Sequence, residues 1–155
     1  MSDFHTATIR WQRGDAAFTD RRYSRAHTWA FDGGATVPAS SSPHVVPVPM
    51  SDAGAVDPEE AFVAALSSCH MLWFLDIACR AGWCVDAYDD EASGHMGRNA
   101  QGKLVVDVVT LRPRVRFSGP RVPDAVALAK LHHEAHAECF LANSVKSEVR
   151  CEPVM

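Results

Sequence analysis

The sequence is short of positive charge: 15 Lys and Arg stand against 19 Asp and Glu, a net charge of −4. That balance argues against a nucleic-acid backbone as a partner. The opening residues, MSDFHTATIR, lack the apolar core of a secretory leader. The one long apolar stretch carries Asp76 and Arg80, which argues against a membrane span. There is no CxxC pair, and the five cysteines are irregularly spaced. An odd set of thiols in a chain large enough for its own core fits a reducing cytoplasm better than a disulfide framework. No internal repeat is visible, and 155 residues predict one domain, 1–155.

What the chain does have is a long helical stretch, DPEEAFVAALSSCHMLWFLDIACRAG, from Asp57 to Gly82. Asp57 suits an N-cap and Pro58 the first helical position, where its missing N–H costs nothing. Glu59 and Glu60 suit the positive end of the helix dipole, and Gly82 suits the left-handed residue that ends a helix. Phe62, Val63, Leu66, Leu72, Trp73, Phe74, Leu75 and Ile77 cover nearly every face, which predicts a helix enclosed by protein. A thiol, Cys69, sits at its middle.

Other elements arrange themselves around this helix. Residues 4–11 and 23–31 alternate in polarity and predict a hairpin, with Arg25 in the second strand on the same face as Tyr23, His27, Trp29 and Phe31. From Val37 to Val56 four prolines argue against a central strand or a helix and predict a long connection. Val85 to Glu91 reads as a short strand, with a turn near Ser93 to Met96. The β-branched run from Lys103 extends in alternation through Arg112, Arg114 and Arg116 to Phe117, predicting one strand with a charged outer face. Pro123 and Asp124 start a second helix that frays near Cys139, with Asn143 as terminator, and Val145 to Val149 form a last strand. The order β, β, long helix, β, β, helix, β predicts an α+β fold of antiparallel sheet with helices packed on it.

Three groups of residues carry possible chemistry. Cys69 and Cys139 each lie on one of the two helices; they are either small buried hydrophobes or an attacking and a resolving thiol. Cys69 lies too far from its helix start to gain from the dipole, so an arginine would have to favour its thiolate and a carboxylate to place that arginine. His132, His133, His136 and Cys139 have a spacing that could bind zinc, or they form a solvated polar face. Cys79, Cys84 and Cys151 read as packing residues.

DPEEAFVAALSSCHMLWFL resembles the central-helix signature of the OsmC/Ohr family, and AHAECFLANSVKSEV resembles that family's second cysteine segment. The two motifs stand in the right order and about 70 residues apart, as the sequence numbering shows. Phe140 departs from the family, where many members carry proline after the second cysteine. The resemblance implies antiparallel sheets with two long central helices in an intertwined homodimer. It implies thiol-based reduction of organic hydroperoxides, with neither cofactor nor metal and with an external dithiol, dihydrolipoyl-type or a small thiol, as reductant. By position, Cys69 matches the attacking cysteine, Cys139 the resolving cysteine and Glu59 the carboxylate that holds the catalytic arginine. Arg25 is the choice for that arginine, with Arg10, Arg21 and Arg22 as alternatives. Trp73, Phe62 and Met71 are either core or a pocket for an apolar peroxide.

Glu59 and Cys69 lie ten residues apart, about 15 Å along one straight helix. They cannot touch within it. Either a long arginine spans part of that gap, or the carboxylate comes from a second chain with its helix packed antiparallel across a two-fold axis.

Overall fold

The computed structural model describes residues 3–155; Met1 and Ser2, read above as part of a start without a leader, lie outside them. The chain is α+β, with antiparallel sheets and two helices, and it falls into two compact units, Met1–Ala61 and Phe62–Met155.

The first unit holds a three-stranded antiparallel sheet of β1 (Ala7–Arg10), β2 (His27–Phe31) and β3 (Thr36–Ala39), in that spatial order. The predicted hairpin exists, with shorter strands than the alternation suggested. β3 was not expected, because Pro38 lies inside it. It is an edge strand, where a proline removes no ladder bond on its open side. The rest of the proline-rich stretch is turns, tied back by Ser40 N–H donating to Val56 O and Val56 N–H to Pro38 O, both at 3.0 Å.

The long helix, α1 (Pro58–Arg80), begins at the end of this unit and continues through the second. Its start is a reciprocal capping box. Asp57 Oδ1 accepts from Glu60 N–H and Glu60 Oε1 accepts from Asp57 N–H, each at 2.8 Å. It ends as predicted at Gly82, whose φ of 81° is left-handed. Trp83 N–H donates to Ala78 O and Gly82 N–H to Cys79 O, the paired bonds of a Schellman motif.

α1 is not enclosed by its own chain, as its all-round apolar composition predicted. Leu66, His70, Phe74, Ile77 and Ala78 are buried, but Ala65, Ser68, Leu72, Asp76 and Cys79 form an exposed stripe, with Leu72 61% exposed. By length and apolarity alone α1 would suffice to cross a membrane; its buried face packs instead on strands and on a second helix, α2 (Ala125–Glu138).

The second unit contains two further sheets: β4 (Cys84–Asp90) with β7 (Pro113–Ser118), and β5 (Ser93–Arg98) with β6 (Leu104–Leu111) and β8 (Glu148–Cys151). β5 is a full strand where a turn was expected. The alternating run from Lys103 to Phe117 is two strands in two sheets, broken at Arg112. Arg112 N–H leaves the ladder to donate to Asp90 Oδ1 at 2.6 Å, and its guanidinium reaches Ser93 Oγ at 2.8 Å. Arg114 and Arg116 do face solvent. β8 starts three residues later than predicted and runs parallel to β6, the one parallel pair of strands among the described residues.

Two apolar clusters hold the second unit together. Phe74, Ile77 and Ala78 of α1 meet Leu131 and Ala135 of α2 over the β4–β7 sheet. Leu66 of α1 meets Val109 and Leu111 of β6, with Val149 and Cys151 of β8 alongside. α1 is the element common to both, which fixes where its side chains face.

Candidate active site

Cys69 lies at the middle of α1 and is half-buried; Cys139 is buried, 1% exposed, and is the C-cap of α2. Asp124 caps the start of α2 by accepting from Ala127 N–H at 2.8 Å, and Asn143 Nδ2 donates to Ala137 O at its far end. The chain then turns sharply, so that Ala142 N–H donates to Cys139 Sγ at 3.4 Å. Trp73, one turn beyond Cys69, packs edge-on against Phe140 at 5.4 Å between ring centres. This contact brings the two cysteine segments together.

The two thiols are direct neighbours. Burial pushes Cys139 above its ordinary value, the bond from Ala142 N–H opposes that, and hydrogen bonding and charge from Cys69 raise it further. Of the two sulfurs, only that of half-buried Cys69 can be reached from solvent, while that of Cys139 lies inside.

The carboxylate and arginine sites are built separately. Glu59 Oε2 is buried with no hydrogen-bond partner, an acceptor left open at the first turn of α1. Arg25 lies two residues before β2 rather than in it. Its guanidinium stacks on the Tyr23 ring at 3.7 Å, donates to Arg21 O at 2.8 Å and also donates to Tyr23 O. The expected aromatic surroundings of Arg25 are present. Among the described residues, Arg25 and Glu59 form no ion pair with each other. Arg10, Arg21 and Arg22 are exposed.

Phe62 packs with Leu66 and Val109, while Trp73 packs with Phe74 and Ile77. Trp73 also lines an open groove with Ile77, Ala81, Glu134 and Glu138. Cys79 and Cys84 are exposed rather than packed.

The histidines of α2 divide. His133 is exposed and His136 half-buried, but His132 is 3% exposed and faces inward, contrary to a wholly solvated polar face. Its Nδ1 shares a hydrogen bond of 3.1 Å with Nε2 of His70, itself 1% exposed. Cys151 Sγ lies 3.8 Å from the same His70 nitrogen. Burial holds both imidazoles down to about 4, His70 also through the charge of His136 and His132 through that of His70. Burial pushes the Cys151 thiol up to about 12, with Asp90 and Glu152 adding to it. Sequence reasoning missed this cluster because its members are 62 and 81 residues apart. The available signal was a histidine directly after the mid-helix cysteine, on a helix expected to be apolar.

Comparison with known proteins agrees with this architecture. Residues 51–153 match the sequence model of the family described as OsmC-like protein. An OsmC-like protein of unknown function from Vibrio cholerae is 57% identical, with 99% of this chain and 100% of that chain covered and a TM-score of 0.96. The organic hydroperoxide resistance protein OhrB of Bacillus subtilis, at 18% identity, 97% and 98% coverage and a TM-score of 0.69, shares the fold. So does an organic hydroperoxide resistance protein from Elizabethkingia anophelis, at 17% identity, 99% and 96% coverage and a TM-score of 0.67. A search of the curated proteins finds no match.

Proposed function

The chain belongs to the OsmC-like protein family, and we propose that it is a cysteine-based hydroperoxide reductase. The observation that carries this reading is the interaction of Cys69 with Cys139 across two helices from segments 70 residues apart. Related folds belong to proteins named for organic hydroperoxide resistance, which makes an alkyl hydroperoxide the first substrate to test.

Cys69 thiolate attacks the distal oxygen of ROOH; the O–O bond breaks, ROH leaves after taking a proton, and Cys69 becomes a sulfenic acid. Cys139 attacks that sulfur, an S–S bond forms, and the sulfenic oxygen leaves as water with the Cys139 proton. An external dithiol of dihydrolipoyl type then exchanges with the disulfide and restores both thiols. In this reading Arg25 supplies the positive charge that favours the Cys69 thiolate, and Glu59, whose Oε2 has no partner within the chain, would hold the arginine of a second copy.

The enzyme acts as a cytoplasmic homodimer in this reading. Leu72 on the exposed stripe of α1 and the wholly exposed β1, with Ile9 59% exposed, are apolar surface that a second copy would cover. A second copy would also bring a Glu59 toward the thiol that one straight helix keeps about 15 Å away. Stopped-flow mixing with an alkyl hydroperoxide and with H2O2, with the Cys69–Cys139 disulfide scored by mass, tests the reading. Rapid peroxide loss with one disulfide per chain supports it; unchanged turnover in Cys69→Ser would sink it. A monomer with full activity would remove the dimer from it.

A further inference from the structure

The buried cluster on the inner side of α1 has no part in the chemistry above. Two imidazoles occupy positions where hydrocarbon would pack, between Phe74, which stacks on His132 at 4.3 Å, and the Leu66–Val109–Leu111 cluster beside Cys151. Their outer nitrogens, His70 Nδ1 and His132 Nε2, are buried and without partners. Each such group costs about 1–3 kcal/mol. An apolar pair would avoid that cost, so stability does not account for these side chains.

We infer that His70 Nε2, His132 Nδ1 and Cys151 Sγ form a binding site for a zinc-class transition-metal ion, distinct from the Cys69–Cys139 pair. The three ligand atoms lie within 4.8 Å of one another. In a tetrahedral zinc site, bond lengths of about 2.0–2.1 Å to nitrogen and about 2.3 Å to sulfur place two imidazole nitrogens about 3.3 Å apart, and nitrogen about 3.6 Å from sulfur. The spacings here are 3.1 Å and 3.8 Å. The donor set, two imidazoles and one thiolate, suits a borderline-soft ion better than calcium or magnesium.

Charge also fits. Asp90 acts on His70, on Cys151 and on Tyr88, so a carboxylate lies close enough to be felt throughout the cluster. Asp90 and a Cys151 thiolate together balance a doubly charged ion. Asp90 is itself fixed by Ser67 Oγ and Arg112 N–H. On binding, Cys151 loses one proton to solvent, and the proton between the imidazoles moves to an outer nitrogen; nothing is oxidised. Cys151 is half-buried, so its sulfur is the ligand an ion arriving from solvent would meet first.

The test needs no peroxide. The tag-free chain, reduced and stripped with chelator, is loaded with Zn2+ and then with Co2+ as a coloured substitute. One zinc per chain and a cobalt–thiolate absorption in the near ultraviolet are expected. Cys151→Ser should abolish that absorption and weaken zinc binding at least tenfold, His132→Leu should weaken zinc binding similarly, and Cys69→Ser should retain both signals. No zinc retained by the parent chain overturns the inference. So does a cobalt–thiolate signal that survives in Cys151→Ser or disappears in Cys69→Ser. Should Cys151→Ser fail to fold, judged by circular dichroism, His132→Leu and the parent chain still decide the outcome.

Discussion

Cys69 and His70 are neighbours in sequence, yet they belong to two clusters of opposite character. A step of one residue turns about 100° around an α-helix. Cys69 faces the end of α2, where it is half-exposed and meets a thiol held by a turn. His70 faces the interior, where it meets His132 from the middle of the same α2. One pair of helices therefore presents a thiol pair and, together with β8, an imidazole–thiol cluster. The difference lies in what surrounds the half-buried sulfur: Cys69 has a buried thiol beside it, Cys151 two buried imidazoles.

The largest test of this contrast is Cys69→Ser. Peroxide reduction should fall by at least about 10³-fold, toward the uncatalysed rate, while Cys84→Ser, at an exposed site on β4 away from the α1 stripe, should leave turnover within about twofold because surface changes of this kind are nearly neutral. Coupled peroxide assays check both. Next is Phe74→Ala, on the inner side. Phe74 is fully buried and stacks on His132, so its loss should lower unfolding free energy by about 3–5 kcal/mol in urea titrations.

A pH series on chelator-treated protein sharpens the contrast further. His70 and His132 sit near 4 when folded and near 6.5 when unfolded. Between those values the unfolded chain binds more protons, so folding stability is fully present above about 6.5 and falls as pH drops toward about 4. Each histidine contributes up to about 1.4 kcal/mol per pH unit within that window. His132→Leu should flatten this dependence and Cys139→Ser should not, as urea midpoints from pH 7 to pH 4.5 would show. The smallest effect is Asp124→Ala, which removes the cap of the helix that serves both clusters. A loss of about 1 kcal/mol in the same titration is expected, with both clusters otherwise intact.

Much of the frame was legible in the residues. Asp57, Pro58 and Gly82 bounded α1, and Asp124 bounded α2, because caps and left-handed terminators act within a few residues of the chain. The strands were less legible. Pro38 obscured an edge strand, and the alternation through Arg112 disguised a change of sheet, because periodicity carries no record of which partner a strand has. The motifs named Cys69 and Cys139, but their contact depends on the Trp73–Phe140 packing and the turn after α2.

By itself the sequence determined the two helices, their ends and the identity of the two thiols, since all of these rest on local backbone chemistry and short patterns. Only the tertiary structure decided which face of α1 is covered, that Cys139 lies inside and Cys69 half outside, and that His132 leaves the polar face of its helix to meet His70 and Cys151. Those outcomes depend on packing between residues far apart in the chain, where burial and proximity, rather than residue type, set what a histidine or a cysteine can do.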